Sequence, residues 1–84
     1  MYRIVFTNSA AKEFRGLSKQ LQQRIRLAID GLQENPRPDG VKKLSGHNDL
    51  YRIRVGQYRV VYEIDDEVRV LTVTRVRHRR DVYR

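Results

Sequence analysis

The first third of the chain changes its hydrophobic period once. Tyr2, Ile4 and Phe6 recur at every second position, which is the pattern of a strand with one buried face. From position 8 or 9 onward the apolar residues recur every three to four positions, and a glycine and a serine divide this pattern into a short and a longer helix. The two apolar stripes consist of Ala10, Phe14 and Leu17, and of Leu21, Ile25, Ala28, Ile29 and Leu32. We predict a strand followed by an antiparallel helical hairpin.

The remainder of the chain predicts strands joined by turns. Two prolines end the helical pattern, so residues 35–40 form a loop. Turn signals at 56–57 and 65–67 separate the runs that follow. The predicted strands are 41–44, 50–55, 58–64 and 68–76, and a basic tail, 77–84, follows them. This order, β-α-α-β-β-β(-β), predicts one α+β domain over residues 1–84, in which a small antiparallel sheet packs against the helical hairpin.

The register of the predicted hairpin places arginines together. If Val55 and Tyr58 flank the turn, Arg54 lies opposite Arg59, and Arg52 shares their face. Directly opposed like charges destabilise a sheet by something on the order of 0.2–1 kcal/mol per pair, so three arginines on one face favour an anion-binding surface. The other face is apolar, and we expect the helices to cover it: Tyr51, Ile53, Val55, Tyr58, Val60 and Tyr62.

Each basic feature has a simpler alternative. The sheet face could be a solvated surface on which Glu63 or Asp49 reduces the repulsion. The tail could be a disordered extension that binds polyanions loosely. The tail contains several arginines and a single acidic residue, Asp81, and a histidine and a tyrosine lie among the arginines in the sequence. The arginines concerned are Arg75, at the end of the preceding strand, and Arg77, Arg79, Arg80 and Arg84 in the tail.

The composition agrees with a polyanion partner. The net charge is +8, and 14 of the 18 basic residues are arginine, whose guanidinium group binds phosphate bidentately. The absence of cysteine excludes disulfides, a thiol nucleophile and thiolate metal sites. No apolar run is long enough to span a bilayer or to form a signal peptide, so we expect a cytoplasmic protein without a membrane partner.

Few kinds of catalysis fit these residues. The chain has two histidines, His47 and His78, and no spacing typical of a metal site, a phosphate-binding glycine loop or a serine nucleophile. We therefore expect no metal or other cofactor. What fits is metal-free cleavage of a phosphodiester, in which arginines stabilise the transition state, a tyrosine or histidine transfers protons, and the RNA supplies its own 2′-hydroxyl as nucleophile.

Four segments together resemble the RelE toxins of bacterial and archaeal toxin–antitoxin systems. They are KKLSG at 42–46, LYRIR at 50–54, YRVVYEI at 58–64 and RHRRDVYR at 77–84. The element order and the length agree as well, so the resemblance covers nearly the whole chain. It implies an endoribonuclease that enters the ribosomal A site and cleaves mRNA without a metal. The partners it implies are a cognate antitoxin, which holds the toxin inactive, and the ribosome with its 16S rRNA and mRNA.

The resemblance also implies roles for single residues. Arg59 matches the arginine that stabilises the transition state, and Arg52 and Arg54 match the positions that bind the RNA backbone. Arg79 is our choice for the catalytic arginine of the tail.

The tail offers alternatives for these roles. Tyr83 matches the tyrosine that activates the 2′-hydroxyl, although it could instead pin the tail to the sheet. Arg77 and Arg80 are expected to bind phosphate and could replace Arg79, and His78 could handle the proton. Two other functions remain open, namely a ParE-type toxin that inhibits DNA gyrase and a basic nucleic-acid-binding module without catalysis.

Overall fold

The computed structural model describes residues 1–44, 50–78 and 80. Their elements follow the predicted order. The helices are α1 (Asn8–Arg15) and α2 (Lys19–Gly31), and the strands are β1 (Arg3–Phe6), β2 (Lys42–Lys43), β3 (Leu50–Val55), β4 (Tyr58–Asp65) and β5 (Val70–His78). The α+β class is therefore confirmed. Within the described residues, neither helix is long and apolar enough to cross a membrane.

The five strands form one sheet in the order β1-β5-β4-β3-β2. Neighbouring strands from β2 to β5 are antiparallel, as predicted. However, β1 pairs with β5 in parallel, with Arg3 opposite Val70, so the sheet is mixed and not wholly antiparallel. The period of a strand indicates which face is buried but not which strand it will pair with, and the direction of β1 could not be predicted from its pattern.

Polar side chains define the ends of the two helices. The Thr7 hydroxyl accepts a hydrogen bond from the Ala10 amide (3.1 Å), and the Ser18 hydroxyl accepts one from the Leu21 amide (3.2 Å). The side-chain amide of Gln22 in α2 lies within 3.3 Å of three carbonyl oxygens at the end of α1 and in the turn after it. These bonds satisfy carbonyls that the end of α1 leaves open, and they tie the two helices together.

The core lies between the helices and one face of the sheet. Tyr62 and Val60 on β4 and Ile25 on α2 are fully buried there. A β-bulge shifts the register of β4 and β5 between Val61 and Tyr62. The buried residues of the core are Ala10, Ile25, Ile29, Leu32, Tyr51, Val60, Tyr62, Ile64, Leu71, Val73 and Val76.

The largest differences from the predicted strand bounds concern β5 and β2, and β4 ends one residue later than predicted, at Asp65. We predicted the last strand at 68–76, but β5 is Val70–His78. The Asp65 carboxylate accepts hydrogen bonds from the amides of Glu67 and Val68, and Arg69 has a φ of 59°, so the turn extends further than the acidic residues suggest. In addition, β2 is limited to Lys42–Lys43 where we predicted 41–44. The loop between α2 and β2 agrees with the prediction for residues 35–40.

Candidate phosphate-binding site

Three arginines lie side by side across the central strands. Arg54 on β3 is opposite Arg59 on β4, which is in turn opposite Arg77 on β5. The two-residue turn between β3 and β4 sets the first of these pairs, and Gly56 supplies the positive φ of 61° that this turn contains. We call Arg54, Arg59 and Arg77 the arginine row. The predicted opposition of Arg54 and Arg59 is confirmed.

A second row of residues crosses the same strands next to the arginine row, and three of its members are cations. Arg52 is opposite Lys42 on one side and Val61 on the other. Val61 is in turn opposite Arg75. Because side chains alternate along a strand, these residues share a face with the arginine row. The prediction that Arg52 lies on that face is therefore consistent with the register. This part of the face carries six cations from four strands: Lys42, Arg52, Arg54, Arg59, Arg75 and Arg77.

The β-bulge decides which face Arg75 and Arg77 occupy. On β5, Leu71 and Val73 face the core, and in a regular strand Arg75 would do the same. Thr74 is the extra residue, and its hydroxyl donates to the Val61 carbonyl (3.2 Å). Beyond Thr74, the even-numbered residues of β5 face the core and the odd-numbered residues face away from it. The sequence carried a sign of this, since the apolar positions change from odd to even before residue 76, but we assigned Arg77 to a tail.

Arg59 differs from its neighbours in depth. Its residue exposure is 7%, and among the described residues it is the only buried polar or charged one, whereas Arg54 is exposed. Water screens a buried charge weakly, so the positive potential is concentrated at the centre of the row. Three guanidinium groups on adjacent strands make this part of the sheet a favourable place for an anion.

A carboxylate from α1 lies at the edge of this face. β1 pairs with β5 only as far as Val73, and α1 runs beside the part of β5 beyond it. There Glu13 accepts hydrogen bonds from the Val76 amide (2.9 Å) and from Nε of Arg77, and Nη1 of Arg75 lies 3.6 Å from the same carboxylate. We assigned no role to Glu13 from the sequence, because no local pattern indicates a contact over 63 residues.

A cleft of about 760 Å³ opens beside the arginine row. One wall comes from α2 and the loop after it and includes Leu27, which is 73% exposed, and Ala28. The other wall comes from the sheet and carries cationic groups, which are Lys42, Arg52, Arg54 and Arg59. A cleft with an apolar wall and a cationic wall suits a nucleotide, which has a flat base and a charged phosphate.

At the opposite end of the sheet, an arginine of the loop after α2 is paired with a carboxylate, and this contact holds the loop against the sheet. Arg37 forms a two-pronged salt bridge with Asp66 (3.0 and 3.4 Å) and donates through Nε to the Tyr51 hydroxyl (3.1 Å). Its guanidinium also lies 5.0 Å from the centre of the Tyr51 ring. Tyr2 donates to Asp66 as well. We call Tyr2, Arg37, Tyr51 and Asp66 the loop clamp.

The contacts of the loop clamp shift pKa values. The hydrogen bonds from Arg37 and Tyr2 lower the pKa of Asp66, and the bond to Asp66 raises the pKa values of Arg37 and Tyr2. Beside the clamp, Tyr62 donates to the Pro36 carbonyl (2.8 Å), and burial raises the pKa of its hydroxyl. The loop that these contacts hold forms part of the cleft wall.

The structure separates the predicted tail residues. Arg77 lies in the arginine row, whereas Arg80 follows the end of β5, is exposed, and donates its amide to Nδ1 of His78 (3.4 Å). His78 is opposite Tyr58, with the rings in T-shaped contact at 5.4 Å. It therefore occupies the face away from the arginine row. Arg79 and Tyr83 lie outside the described residues.

Comparisons with known proteins agree with these features. The family model described as the ParE toxin of the type II toxin–antitoxin system parDE matches residues 4–83. The mRNA interferase toxin RelE of Escherichia coli K12 is 34% identical over an alignment of 86 positions, and the alignment covers 98% of this chain and 90% of that one. Toxin RelE3 of Methanocaldococcus jannaschii is 29% identical over 85 residues, which cover 96% of this chain and 94% of that one.

Solved structures of RelE toxins have the same fold. The isolated RelE toxin of E. coli superimposes with a TM-score of 0.84 at 31% identity, covering 93% of this chain and 84% of that one. The RelE–RelB complex of Pyrococcus horikoshii gives 0.82 at 31% identity, covering 93% and 94%. Fold and sequence thus define the class of type II toxin–antitoxin toxins. Within that class, the chain belongs to the RelE family of the RelE/ParE superfamily.

Proposed function

We propose that the protein is an mRNA interferase, an endoribonuclease that cleaves mRNA in the ribosomal A site and thereby inhibits translation. The arginine row carries this proposal, because three guanidinium groups on neighbouring strands form a cationic surface suited to phosphate. The name of the E. coli relative, mRNA interferase toxin RelE, supports RNA as the substrate.

The geometry of the row suits a single scissile phosphate. Opposed residues of antiparallel strands have Cα atoms about 4.5–5.5 Å apart, so neighbouring guanidinium groups can reach oxygens of one phosphate or of two consecutive ones. Arg59, at the centre, is flanked by Arg54 and Arg77. We assign Arg59 and Arg77 to the scissile phosphate, with Arg52 and Arg54 on the flanking backbone. Arg77 takes the place next to Arg59 for which the sequence favoured Arg79.

The reaction follows from the substrate. The 2′-hydroxyl loses its proton and its oxygen forms a bond to phosphorus, while the bond from phosphorus to the 5′-oxygen breaks and that oxygen takes up a proton from solvent. The products are a 2′,3′-cyclic phosphate and a 5′-hydroxyl end. Negative charge develops on the phosphoryl oxygens in the transition state. Cations that the fold already holds around these oxygens therefore stabilise the transition state more than the ground state. Tyr83 remains our predicted proton acceptor, and Arg79 and Arg80 remain predicted to assist or to bind phosphate.

An antitoxin is the second proposed partner. The solved neighbours include complexes of RelE with the antitoxin RelB, from E. coli and from P. horikoshii. Two modes of inhibition fit the present surface. An acidic segment can cover the arginine row and neutralise it, or the partner can displace the C-terminal residues and remove Tyr83 from the site.

The test is to add the purified protein to ribosomes stalled on a defined mRNA and to map new 5′ ends. We expect ends within the codon in the A site, with a 5′-hydroxyl group, and no cleavage of the same mRNA without ribosomes. Intact mRNA on ribosomes would refute the proposal. Cleavage of naked RNA at the same rate would refute its ribosome dependence.

One observation favours a second candidate, because the matching family model is described as a ParE toxin. The second hypothesis is that the protein is a ParE-type toxin, which inhibits DNA gyrase. A supercoiling assay with purified gyrase separates the two candidates. Loss of supercoiling together with intact mRNA would assign the protein to the gyrase-inhibiting branch, and normal supercoiling together with A-site cleavage would exclude it.

A further inference from the structure

Glu13 collects three donors from one strand. Its Oε1 accepts from the Val76 amide at 2.9 Å, and its Oε2 accepts from Nε of Arg77 and lies 3.6 Å from Nη1 of Arg75. The side chain is 20% exposed, well below the 57% of Asp66 in the loop clamp. Partial burial and the charge-assisted bond make this contact stronger than an ordinary surface ion pair.

The backbone bond gives the carboxylate a fixed orientation. The Val76 amide points away from β4 into the space that β1 leaves open, and it holds Oε1 in place independently of charge. The second oxygen is therefore presented to Arg77 from one direction. A side chain with four rotatable bonds loses much of its freedom when its guanidinium is held in this way.

The contact also suits phosphate binding. The bond to Glu13 uses Nε, the guanidinium nitrogen closest to the backbone, so the two terminal nitrogens lie farther out along the side chain. The Arg77 side chain remains 40% exposed. Glu13 thus holds the near end of a guanidinium group whose side chain is still partly open to solvent.

We propose that Glu13 is a positioning residue that holds the Arg77 guanidinium at the β5 end of the arginine row for the reacting phosphate. This inference rests on the proposed function, because it assigns Glu13 a part in the same reaction. Glu13 acts through Arg77 and does not touch the RNA. Its removal lowers the rate of the chemical step while the other cations of the face continue to bind the RNA backbone.

The test uses Glu13→Gln, which keeps an oxygen for the Val76 amide and removes the charge that holds Arg77. The matched control is Glu67→Gln, which makes the same change of charge in the exposed turn between β4 and β5. We expect the single-turnover cleavage rate at saturating Glu13→Gln protein to fall about tenfold, with a change of less than about twofold in the half-saturating concentration. The control should behave as wild type.

A second measurement reports on the contact itself. In ¹H–¹⁵N spectra, the Nε–H signal of Arg77 should be shifted and slow to exchange in wild type and in Glu67→Gln, and it should lose both properties in Glu13→Gln. Thermal unfolding of each variant then corrects the cleavage rates for the folded fraction.

Four outcomes would overturn the inference. An unchanged Arg77 signal in Glu13→Gln means that the contact does not hold the guanidinium. A wild-type cleavage rate means that holding it has no catalytic effect. A rate loss that follows only the folded fraction makes Glu13 structural, and tighter RNA binding with faster cleavage makes it a competing counter-ion. If wild type itself leaves A-site mRNA intact, the proposed function fails first, and the inference fails with it.

Discussion

The two ends of the sheet use arginine in opposite ways. In the loop clamp, Arg37 has a carboxylate, a phenol and an aromatic ring as partners. In the arginine row, Arg59 lies between two further arginines on the adjacent strands. The residue type is the same, but Arg37 lies in the loop after α2 and Arg59 lies on β4, and the groups that surround the two guanidinium groups differ.

This difference separates stability from function. The clamp end holds a proline-containing loop against the sheet, and its charges are neutralised within the domain. The row end gathers three guanidinium groups on adjacent strands around a buried centre, and Glu13 pairs with the one on β5. This concentration of positive charge suits an anion from outside the domain.

Replacing the central arginine should have the largest effect on activity. Arg59→Ala should lower the cleavage rate about 10²-fold or more and leave ribosome binding nearly intact, because its interaction strengthens as charge develops on the phosphate. Single-turnover cleavage and ribosome co-sedimentation measure the two quantities. Equal losses of binding and cleavage would instead assign Arg59 to anchoring.

At the clamp end, the largest expected effect is on stability. Tyr62→Phe removes the buried hydrogen bond to the Pro36 carbonyl and should cost about 1–2 kcal/mol in the free energy of unfolding. Urea denaturation measures this value. The cleavage rate of the folded variant should equal that of wild type. A large loss of activity without a loss of stability would mean that Tyr62 contributes to catalysis and not to stability.

The flanking cations should act through affinity and salt. Arg52→Ala should weaken ribosome binding and cleavage together, and the slope of log affinity against log salt should become less steep by about one. Binding measured over a series of salt concentrations tests this. Arg69→Ala serves as the control, because Arg69 stacks on Tyr2 at the clamp end. A salt-independent defect in Arg52→Ala would contradict a phosphate contact.

The smallest expected effect concerns pH. Hydrogen bonds from Arg37 and Tyr2 lower the pKa of Asp66 in the folded protein, so this carboxylate contributes stability above its unfolded pKa of about 3.9 and loses that contribution as the pH falls through the folded pKa. Asp66→Asn should therefore be less stable than wild type near neutral pH and should lose less stability on acidification. Denaturation at several pH values measures this, and parallel curves for the two proteins would contradict it.

The site could be predicted from the sequence where its geometry is local. A two-residue turn fixes the pairing of Arg54 with Arg59, and alternation then assigns both faces of the hairpin. The position of Arg77 could not be obtained this way, because it depends on a β-bulge at Thr74 in the pairing of β5 with β4, which reverses the alternation along β5.

Long-range contacts set the remaining features. The parallel pairing of β1 with β5 and the bond from Glu13 to the Val76 amide join residues more than 60 positions apart, and neither leaves a periodic signal in the sequence. The roles of Arg79 and Tyr83 stay predictions from the family resemblance, since both residues lie outside the described part of the chain.

A single experiment compares one variant from each end of the sheet in the same assay. Wild type, Arg59→Ala and Tyr62→Phe are each added at saturation to ribosomes carrying a defined A-site codon, and the appearance of new 5′ ends is followed over time. We expect Arg59→Ala to bind these ribosomes but scarcely to cleave, whereas Tyr62→Phe cleaves at the wild-type rate below its unfolding temperature. Cleavage by Arg59→Ala at the wild-type rate would show that the arginine row does not act on the reacting phosphate.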